Sequence, residues 1–279
     1  MRLIDSGETI RKGLLIMAVY TTLARAKGEF KEMILDNLFV ITRSAAQLFD
    51  NVYRENTNAL ADDLGHSFEL LIKRIDKEEA MSIPEPLWQA YMLLWQAANT
   101  LIAGYQSIRV GFPVEALVIA RHAMEMQALA LAFFLDSKNF TDFKKGDLKA
   151  TDCISRVKGV FPDFGKQYGI LSEIAHPSSR FVPTHLHKDG DKVILLIGAG
   201  LPDGKPKLVR EAVTRMLIQL FESQSAILHA SIEFIALDEV AEPNYWKKTP
   251  GGALWSPSGA VQERWTRRSE DLAKLLSES

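Results

Sequence analysis

An apolar run at residues 114–135, VEALVIARHAMEMQALALAFFL, restricts the folds open to this chain more than any other feature. The run is long enough to cross a bilayer, but it carries four ionisable residues, namely Glu115, Arg121, His122 and Glu125. Ionisable side chains at the centre of a bilayer are costly. We therefore expect this run to form the core helix of a soluble protein, with no membrane contact.

Helical periodicity recurs on both sides of this run, and the alternation typical of strands is nearly absent. Pro84 and Pro86 predict the start of one helix and Pro113 the start of the central one, because proline fits the first turn of a helix. Pro177 predicts the end of a later helix. The fold class is therefore mainly all-α, a multi-helix bundle. The predicted helices cover about residues 8–25, 30–53, 59–75, 84–108, 113–135, 164–176, 207–237 and 260–276, with short helices between 136 and 165.

One segment breaks the helical pattern, FVPTHLHKDGDKVILLIGAG at residues 181–200. Asp189 and Gly190 lie between two alternating runs and are typical of the central pair of a type I′ turn. We expect one small β-hairpin near residues 181–198. The residues whose alternation fits antiparallel pairing are Thr184, Leu186 and Lys188 in the first run and Val193 and Leu195 in the second.

Charge and cysteine content exclude several classes of protein. The chain has 33 Lys and Arg against 35 Asp and Glu, a formal net charge of −2, so no overall positive field attracts nucleic acid or an anionic membrane. The single cysteine, Cys153, excludes an internal disulfide and a cysteine-rich zinc site. The opening MRLIDSGETI lacks the basic and then apolar pattern of a signal peptide, which predicts a cytoplasmic protein.

The positions of linker-like stretches in the sequence indicate the domain organisation. No stretch rich in Gly, Ser or Pro precedes residue 238, so we expect one helical domain over residues 1–237 and a C-terminal appendage with a short helix over 238–279. The charged stretch KRIDKEEAMSIPEP indicates an internal boundary near residues 76–86. The appendage mixes aromatic and basic residues, which either clamp it onto the helices or stack nucleic-acid bases; we favour the clamp.

Arg121 and Glu125 are the first candidate for chemistry, because they lie one helical turn apart on the most apolar helix of the chain. A charge on such a helix is costly unless it is paired and hydrogen-bonded. Two interpretations stay open. The pair either fixes the register of the helix as a structural ion pair, or it forms the polar floor of a pocket.

The stretch YGILSEIAHPSSR, which begins at Tyr168, is the second candidate. Tyr168, Ser172 and His176 follow one another at four-residue spacing and so point to one side of a helix. No G-x-S-x-G elbow accompanies them, so a serine hydrolase is not expected. The three residues either satisfy polar partners near the helix end, or they form a joint site with Arg121 and Glu125 across a helix interface.

These two motifs carry a resemblance. An Arg-x-x-x-Glu on one apolar helix, followed by Leu-Ser-Glu-x-x-His-Pro-Ser at the end of another, resembles a group of uncharacterised bacterial helical proteins and, more distantly, the HEPN superfamily of nucleotide- and RNA-binding helical domains. The resemblance covers about residues 86–180. It implies a helical fold and a nucleotide or RNA as partner, with a role in stress or defence.

The same resemblance bears on catalysis. HEPN ribonucleases carry an arginine about one helical turn before a histidine on their last core helix, and that pair stabilises charge and moves protons at an RNA phosphate. His176 matches the histidine, but residues 170–172 are Ile, Leu and Ser, so the arginine is missing. Arg121 or Arg180 is the available substitute.

The candidate site therefore has two parts. The catalytic candidates are Arg121, Glu125, Ser172 and His176, and the binding candidates are Tyr168, Glu173 and Arg180. We expect neither a cofactor nor a metal, although His185 and His187 have a spacing that zinc ligands also show; an exposed hairpin face explains that spacing equally well.

A non-enzymatic function is the alternative to nucleotide or RNA chemistry. The chain has no complete catalytic motif, and its long amphipathic helices suit bundling with another chain. In that case the protein is a helical interaction module or a homo-oligomer, and the polar residues form an internal structural seam.

Overall fold

The computed structural model describes residues 35, 39–40, 42–77, 82–175, 186–189, 192–195, 205–250, 252–259 and 262–263 of the 279 in the chain. Over these residues the protein is mainly α-helical, as the sequence predicts. The helices are Thr42–Val52 (α1), Arg54–Lys77 (α2), Glu85–Arg109 (α3), Pro113–Leu135 (α4), Ser137–Lys145 (α5), Ala150–Val157 (α6), Pro162–Ala175 (α7) and Lys205–Ile235 (α8). A 3₁₀ turn, Leu237–Glu239, follows α8.

The proline signals for helix starts are confirmed. Pro84 is the N-cap of α3 and Pro113 is the first residue of α4. The two helices form a hairpin through Gly111, whose φ of 92° lies in the left-handed region that glycine adopts without strain. The predicted helices at residues 8–25 and 260–276 lie outside the described residues, apart from 262–263 of the second.

Helix α4 is the centre of the bundle. It packs against α3, α5, α6, α7 and α8, and alanine and methionine make up most of the residues described as buried on it. By length and composition α4 resembles a membrane span, but 67% of its apolar stretch is buried inside the protein, which is typical of the core helix of a soluble protein. The prediction that residues 114–135 form a core helix is confirmed.

The N-terminal helix α1 is held by one ion pair. Arg109, at the end of α3, donates from Nε and Nη2 to the two carboxylate oxygens of Asp50 at 2.7 and 2.6 Å. The Phe49 and Tyr105 rings on the same two helices pack edge to face, with their centroids 5.6 Å apart. Bidentate geometry of this kind fixes both distance and orientation, so α1 is tied to the C-terminal end of α3.

The predicted hairpin is confirmed. Leu186–Asp189 (β1) pairs antiparallel with Lys192–Leu195 (β2), in a register that places Lys188 opposite Val193. One detail was wrong: Asp189 pairs with Lys192, so the two residues between the strands are Gly190 and Asp191 rather than Asp189 and Gly190. The pairing of the two β-rich runs determines the register, so the two-residue turn lies one position later in the chain than the Asp-Gly pair indicated.

A second hairpin lies in the appendage, where no strand was predicted. Trp246–Thr249 (β3) pairs antiparallel with Gly252–Trp255 (β4), and Thr249 lies opposite Gly252. Pro250 and Gly251 are therefore the residues between the two strands. Pro-Gly is a strong turn signal, so the sequence did contain evidence for this hairpin.

This second hairpin clamps the appendage onto the bundle. Tyr245 and Trp246 are buried, and the Trp246 indole N–H donates to the backbone oxygen of Ala230 in α8 at 2.7 Å. The Trp255 ring lies with its centroid 4.0 Å from that of Phe161, just before α7. For these aromatic residues the clamp interpretation is confirmed.

A buried carboxylate supports the same clamp. Glu233 of α8 is 1% exposed and accepts hydrogen bonds from the backbone N–H groups of Asn244 and Tyr245. Burial raises the pKa of Glu233 to about 7, although both hydrogen bonds act in the opposite direction. The ordinary value is 4.5, so the folded state holds this proton more tightly than the unfolded chain does.

We expect the stability of the protein to fall between about pH 5 and pH 8. Because the folded-state pKa of Glu233 is raised, its contribution is complete below pH 4.5 and is lost as the pH rises through about 7, by about 3 kcal/mol at most. Urea unfolding of wild type and Glu233→Gln at four pH values measures this slope, which should be flatter in the variant. The exposed Glu242→Gln is the matched control and should keep the wild-type slope. Equal slopes in all three proteins would contradict the assignment.

Gly104 marks a close approach of α3 to α8. A Cβ at this position would lie 2.6 Å from Cζ and 2.7 Å from Cε1 of Phe221, whose side chain is fully buried. Gly104→Ala should therefore lower the free energy of unfolding by about 1 kcal/mol net, because overpacking costs about 1–3 kcal/mol and alanine recovers about 0.5–1 kcal/mol of helix propensity.

Gly169→Ala in α7 is the matched control for this substitution. A Cβ at Gly169 would meet no atom within 4 Å, so only the propensity gain of about 0.5–1 kcal/mol remains and stability should rise. Urea unfolding of both variants gives the comparison. The close packing of α3 on α8 would be refuted if Gly104→Ala were as stable as Gly169→Ala.

Candidate functional site

The structure brings Arg121, Glu125 and Tyr168 together where α7 crosses α4. Arg121 and Glu125 lie one turn apart on α4, so their side chains leave the helix in the same direction. Tyr168 lies on the surface of α7 that faces α4, where its hydroxyl reaches both side chains. The predicted meeting of the two motifs across a helix interface is thus observed for these three residues, which we call the Arg121 cluster.

The three side chains form a closed triangle of hydrogen bonds. Arg121 donates from Nε to Glu125 Oε1 at 3.1 Å and from Nη2 to the Tyr168 hydroxyl at 3.2 Å. The same hydroxyl donates to Glu125 Oε1 at 2.9 Å. The guanidinium carbon also lies 5.4 Å from the centroid of the Tyr168 ring, within cation–π range. Each residue thus contacts the other two, and the orientation of the guanidinium is fixed.

The Arg121 cluster reaches the surface of the protein. The side chains of Arg121 and Glu125 are 21% and 22% exposed, so the ion pair is partly shielded from water without being buried. Partial burial lowers the pKa of Arg121, but the Tyr168 hydroxyl and the Glu125 carboxylate together raise it above the ordinary value. The guanidinium is therefore charged at neutral pH.

His122 adjoins the cluster and was missed as a site residue. Its Nδ1 lies 3.8 Å from Glu125 Oε2, and its side chain is 61% exposed. The three-residue spacing from His122 to Glu125 was available in the sequence as a signal. The exposed imidazole and the partly shielded guanidinium thus share one carboxylate.

The rest of the predicted site is described only in part. Ser172 is half-buried on α7, one turn beyond Tyr168 and on the same face of that helix. His176 and Arg180 lie outside the described residues, as does the side chain of Glu173. Their participation in the site stays a prediction.

A layer of amide side chains holds α7 against α8 next to the cluster. Gln224 donates from Nε2 to Gln167 Oε1 at 2.6 Å, and Gln167 donates to the hydroxyl of Ser223. Gln167 directly precedes Tyr168, so these bonds fix the rotation of α7 that brings Tyr168 over Arg121. No pattern in the sequence indicates this layer, because it depends on how two helices distant in the chain face each other.

A third polar region joins α2 to α8, and it was not predicted. Three hydrogen-bonded pairs of side chains connect the two helices. From one pair to the next the residue number increases on both helices, so α2 and α8 run in the same direction. We call this polar region the seam between α2 and α8. Glu222 within it is 4% exposed. The pairs are Asn56 with Glu222 at 3.0 Å, Asp63 with Ser225 at 3.4 Å, and Ser67 with His229 at 3.0 Å.

The described residues contain no group of three or more His, Cys, Asp and Glu side chains placed to hold a metal ion. His185 and the side chain of His187 lie outside the described part of the chain, so the zinc-like spacing there is not addressed. Cys153 is buried in α6, and burial raises the pKa of its thiol to about 11. A thiol of that kind is not a nucleophile at neutral pH.

Comparison with known proteins adds no relative. No protein-family model matches the chain, and neither a curated protein nor a solved structure is significantly similar to it. The function is therefore inferred from the geometry of the chain itself and from the motif resemblance.

Gln127 on α4 allows the cost of an unpaired buried amide near the site to be measured. Its side chain is fully buried, and neither amide atom has a hydrogen-bond partner among the described residues. An unpaired buried amide costs about 1–3 kcal/mol, so Gln127→Met, which keeps the shape of the side chain, should raise the free energy of unfolding by about 1 kcal/mol. Chemical unfolding measures the change.

Gln224→Met is the matched control, because it removes a buried amide that does have a partner. The substitution leaves Gln167 Oε1 without its donor, and stability should fall by about 1 kcal/mol. If both variants were destabilised equally, Gln127 would be hydrogen-bonded in solution and the assignment would be wrong.

Proposed function

We propose that the Arg121 cluster binds a phosphate group of a nucleotide or of RNA, in a cytoplasmic bacterial protein of HEPN-like type that acts in stress or defence. The observation that carries the proposal is the fixed orientation of a charged, partly exposed guanidinium by Glu125 and Tyr168 on two different helices. Arginine is suited to phosphate because its planar fork of N–H groups matches the phosphate oxygens.

Orientation in advance of binding favours affinity. A free arginine side chain loses rotamer entropy when it binds a ligand, whereas the Arg121 side chain is already ordered by hydrogen bonds to Glu125 and Tyr168 and by the Tyr168 ring. Glu125 and Tyr168 accept from Nε and Nη2, so they hold the guanidinium in place while it stays charged.

Two neighbours extend the site. The exposed imidazole of His122 reaches solvent on one side of Glu125 and is a second group that a phosphate or sugar hydroxyl could contact. Ser172 continues the Tyr168 face of α7 toward the predicted positions of His176, Glu173 and Arg180. Cleavage of RNA needs a proton-transferring group, and His176 is the candidate for that role.

The test compares binding by variants with an unchanged fold. Labelled RNA oligonucleotides in fluorescence anisotropy and ATP in titration calorimetry, at low salt, give the affinities. Arg121→Gln should weaken binding by at least about ten-fold, which corresponds to about 1.4 kcal/mol, and Tyr168→Phe should weaken it less because the ring remains. Arg54→Gln, at an exposed arginine of α2, is the matched control and should bind as wild type does.

Two results would reject the proposal. In the first, the wild-type protein binds neither RNA nor nucleotide. In the second, Arg121→Gln binds as tightly as Arg54→Gln, which would place the phosphate elsewhere.

The alternative is that the cluster is a structural seam and that the protein acts as an interaction module or homo-oligomer. The observation that favours it is the closed triangle, in which every member already contacts the other two. Removing one partner of such a network costs about 2 kcal/mol or more where the network is structural. A loss of that size in Arg121→Gln, with no ligand bound by wild type, would favour the seam, and sedimentation velocity would then give the oligomeric state.

A further inference from the structure

The two carboxylate oxygens of Glu125 are used unequally. Oε1 accepts hydrogen bonds from Arg121 Nε at 3.1 Å and from the Tyr168 hydroxyl at 2.9 Å. Oε2 accepts none from the part of the chain that the structure describes, because its contact with His122 Nδ1 is 3.8 Å long and so exceeds hydrogen-bond distance. An ionised carboxylate accepts at both oxygens, so Oε2 is an acceptor that the Arg121 cluster does not itself use.

Oε2 lies on the solvent side of the cluster. The imidazole of His122 next to it is exposed, whereas Oε1 is turned toward α7 and receives the hydroxyl of Tyr168. A ligand that reaches the guanidinium from solvent therefore meets Oε2 rather than Oε1.

The Tyr168 hydroxyl is not a donor for such a ligand. It has one proton, which it donates to Glu125 Oε1, and its oxygen accepts from Arg121 Nη2 at 3.2 Å. Within the cluster the guanidinium is thus the donor for a phosphate, and Glu125 Oε2 is the acceptor for another group of the same ligand.

The charge of Oε2 restricts which phosphate compounds fit. Phosphate oxygens and carboxylate oxygens are both negative and both acceptors, so they repel each other at close range. A ligand whose phosphate contacts Arg121 is therefore favoured when it also directs an O–H or N–H group at Oε2. A hydrogen bond to a charged acceptor is stronger than one between neutral groups.

RNA meets both requirements within one nucleotide. Its 2′-hydroxyl is a donor and lies on the sugar carbon next to the one that carries the 3′-phosphate, whereas DNA has the phosphate without that hydroxyl. The amino groups of the bases lie farther from the phosphate, on the other side of the sugar. A short separation is needed because Arg121 and Glu125 lie one helical turn apart and are hydrogen-bonded to each other.

We propose that Glu125 Oε2 accepts a hydrogen bond from a ribose 2′-hydroxyl while Arg121 binds the adjacent 3′-phosphate, so that the cluster selects RNA over DNA. This assignment rests on the phosphate-binding role of Arg121 proposed above. It makes Glu125 the residue that determines specificity, in addition to holding the guanidinium in place.

The affinities of three labelled oligonucleotides of one sequence, measured by fluorescence anisotropy, test the assignment: RNA, DNA and 2′-O-methyl RNA. The 2′-O-methyl form keeps the oxygen and the sugar shape of RNA but has no donor at that position. The wild-type protein should bind RNA at least about ten-fold more tightly than either of the others, because both lack the hydrogen bond to the charged acceptor.

Glu125→Gln reverses the polarity of this contact. The amide oxygen stays beside its donors on Arg121 and Tyr168, so the amide nitrogen takes the position of Oε2 and donates instead of accepting. The preference for RNA should fall to within about two-fold. Binding of DNA should tighten, because the negative charge beside the phosphate is gone. A purely structural role of Glu125 would instead weaken the binding of all three oligonucleotides.

Glu115→Gln is the matched control, because Glu115 is an exposed carboxylate on the same helix and lies outside the cluster. This variant should keep the wild-type preference for RNA.

Three results would overturn the assignment. Equal binding of RNA and 2′-O-methyl RNA by the wild-type protein, or an undiminished preference for RNA in Glu125→Gln, would reject the contact at Oε2 and leave phosphate binding by Arg121 intact. Binding of none of the oligonucleotides would reject the phosphate-binding role itself, and this assignment with it.

Discussion

The burial of α4 on nearly every side is the constraint on which the rest of the structure depends. Alanine is the commonest buried residue on this helix, and its small side chain lets α3, α6, α7 and α8 approach closely. The ionisable residues of this helix must then emerge at the margins between its neighbours. Arg121 and Glu125 emerge where α7 crosses, and this is why a tyrosine of α7 forms hydrogen bonds with both of them.

Short sequence patterns predicted the elements whose structure depends mainly on neighbouring residues. Pro84 and Pro113 mark helix starts, and alternation around Lys188 and Val193 marks the first hairpin. The ion pair of Arg121 with Glu125 follows from spacing on one helix. The sequence could predict that Tyr168 lies on one face of its helix together with Ser172. Its contact with Arg121 depends on the rotation of α7 about its axis, which the hydrogen bond between Gln167 and Gln224 determines.

The features that were missed are those that join distant parts of the chain. The seam between α2 and α8 consists of polar residues that look like surface positions on each helix taken alone, and only their mutual rotation makes them a buried interface. The second hairpin was missed for another reason. Its strands have four residues each, β3 carries two lysines, and the hairpin is held by Trp246 and Glu233 rather than by any alternation of its own.

The seam between α2 and α8 also has a consequence for folding during synthesis. Asn56 and Glu222 are separated by 166 residues, so the interface closes only after most of the chain has left the ribosome. Until then the polar side chains of α2 that bind α8 have no partner helix. Closing so long a loop costs entropy that local contacts cannot recover early, so docking of α8 belongs to a late step. The last long helix is therefore the element that turns a set of nascent helices into one cooperative unit.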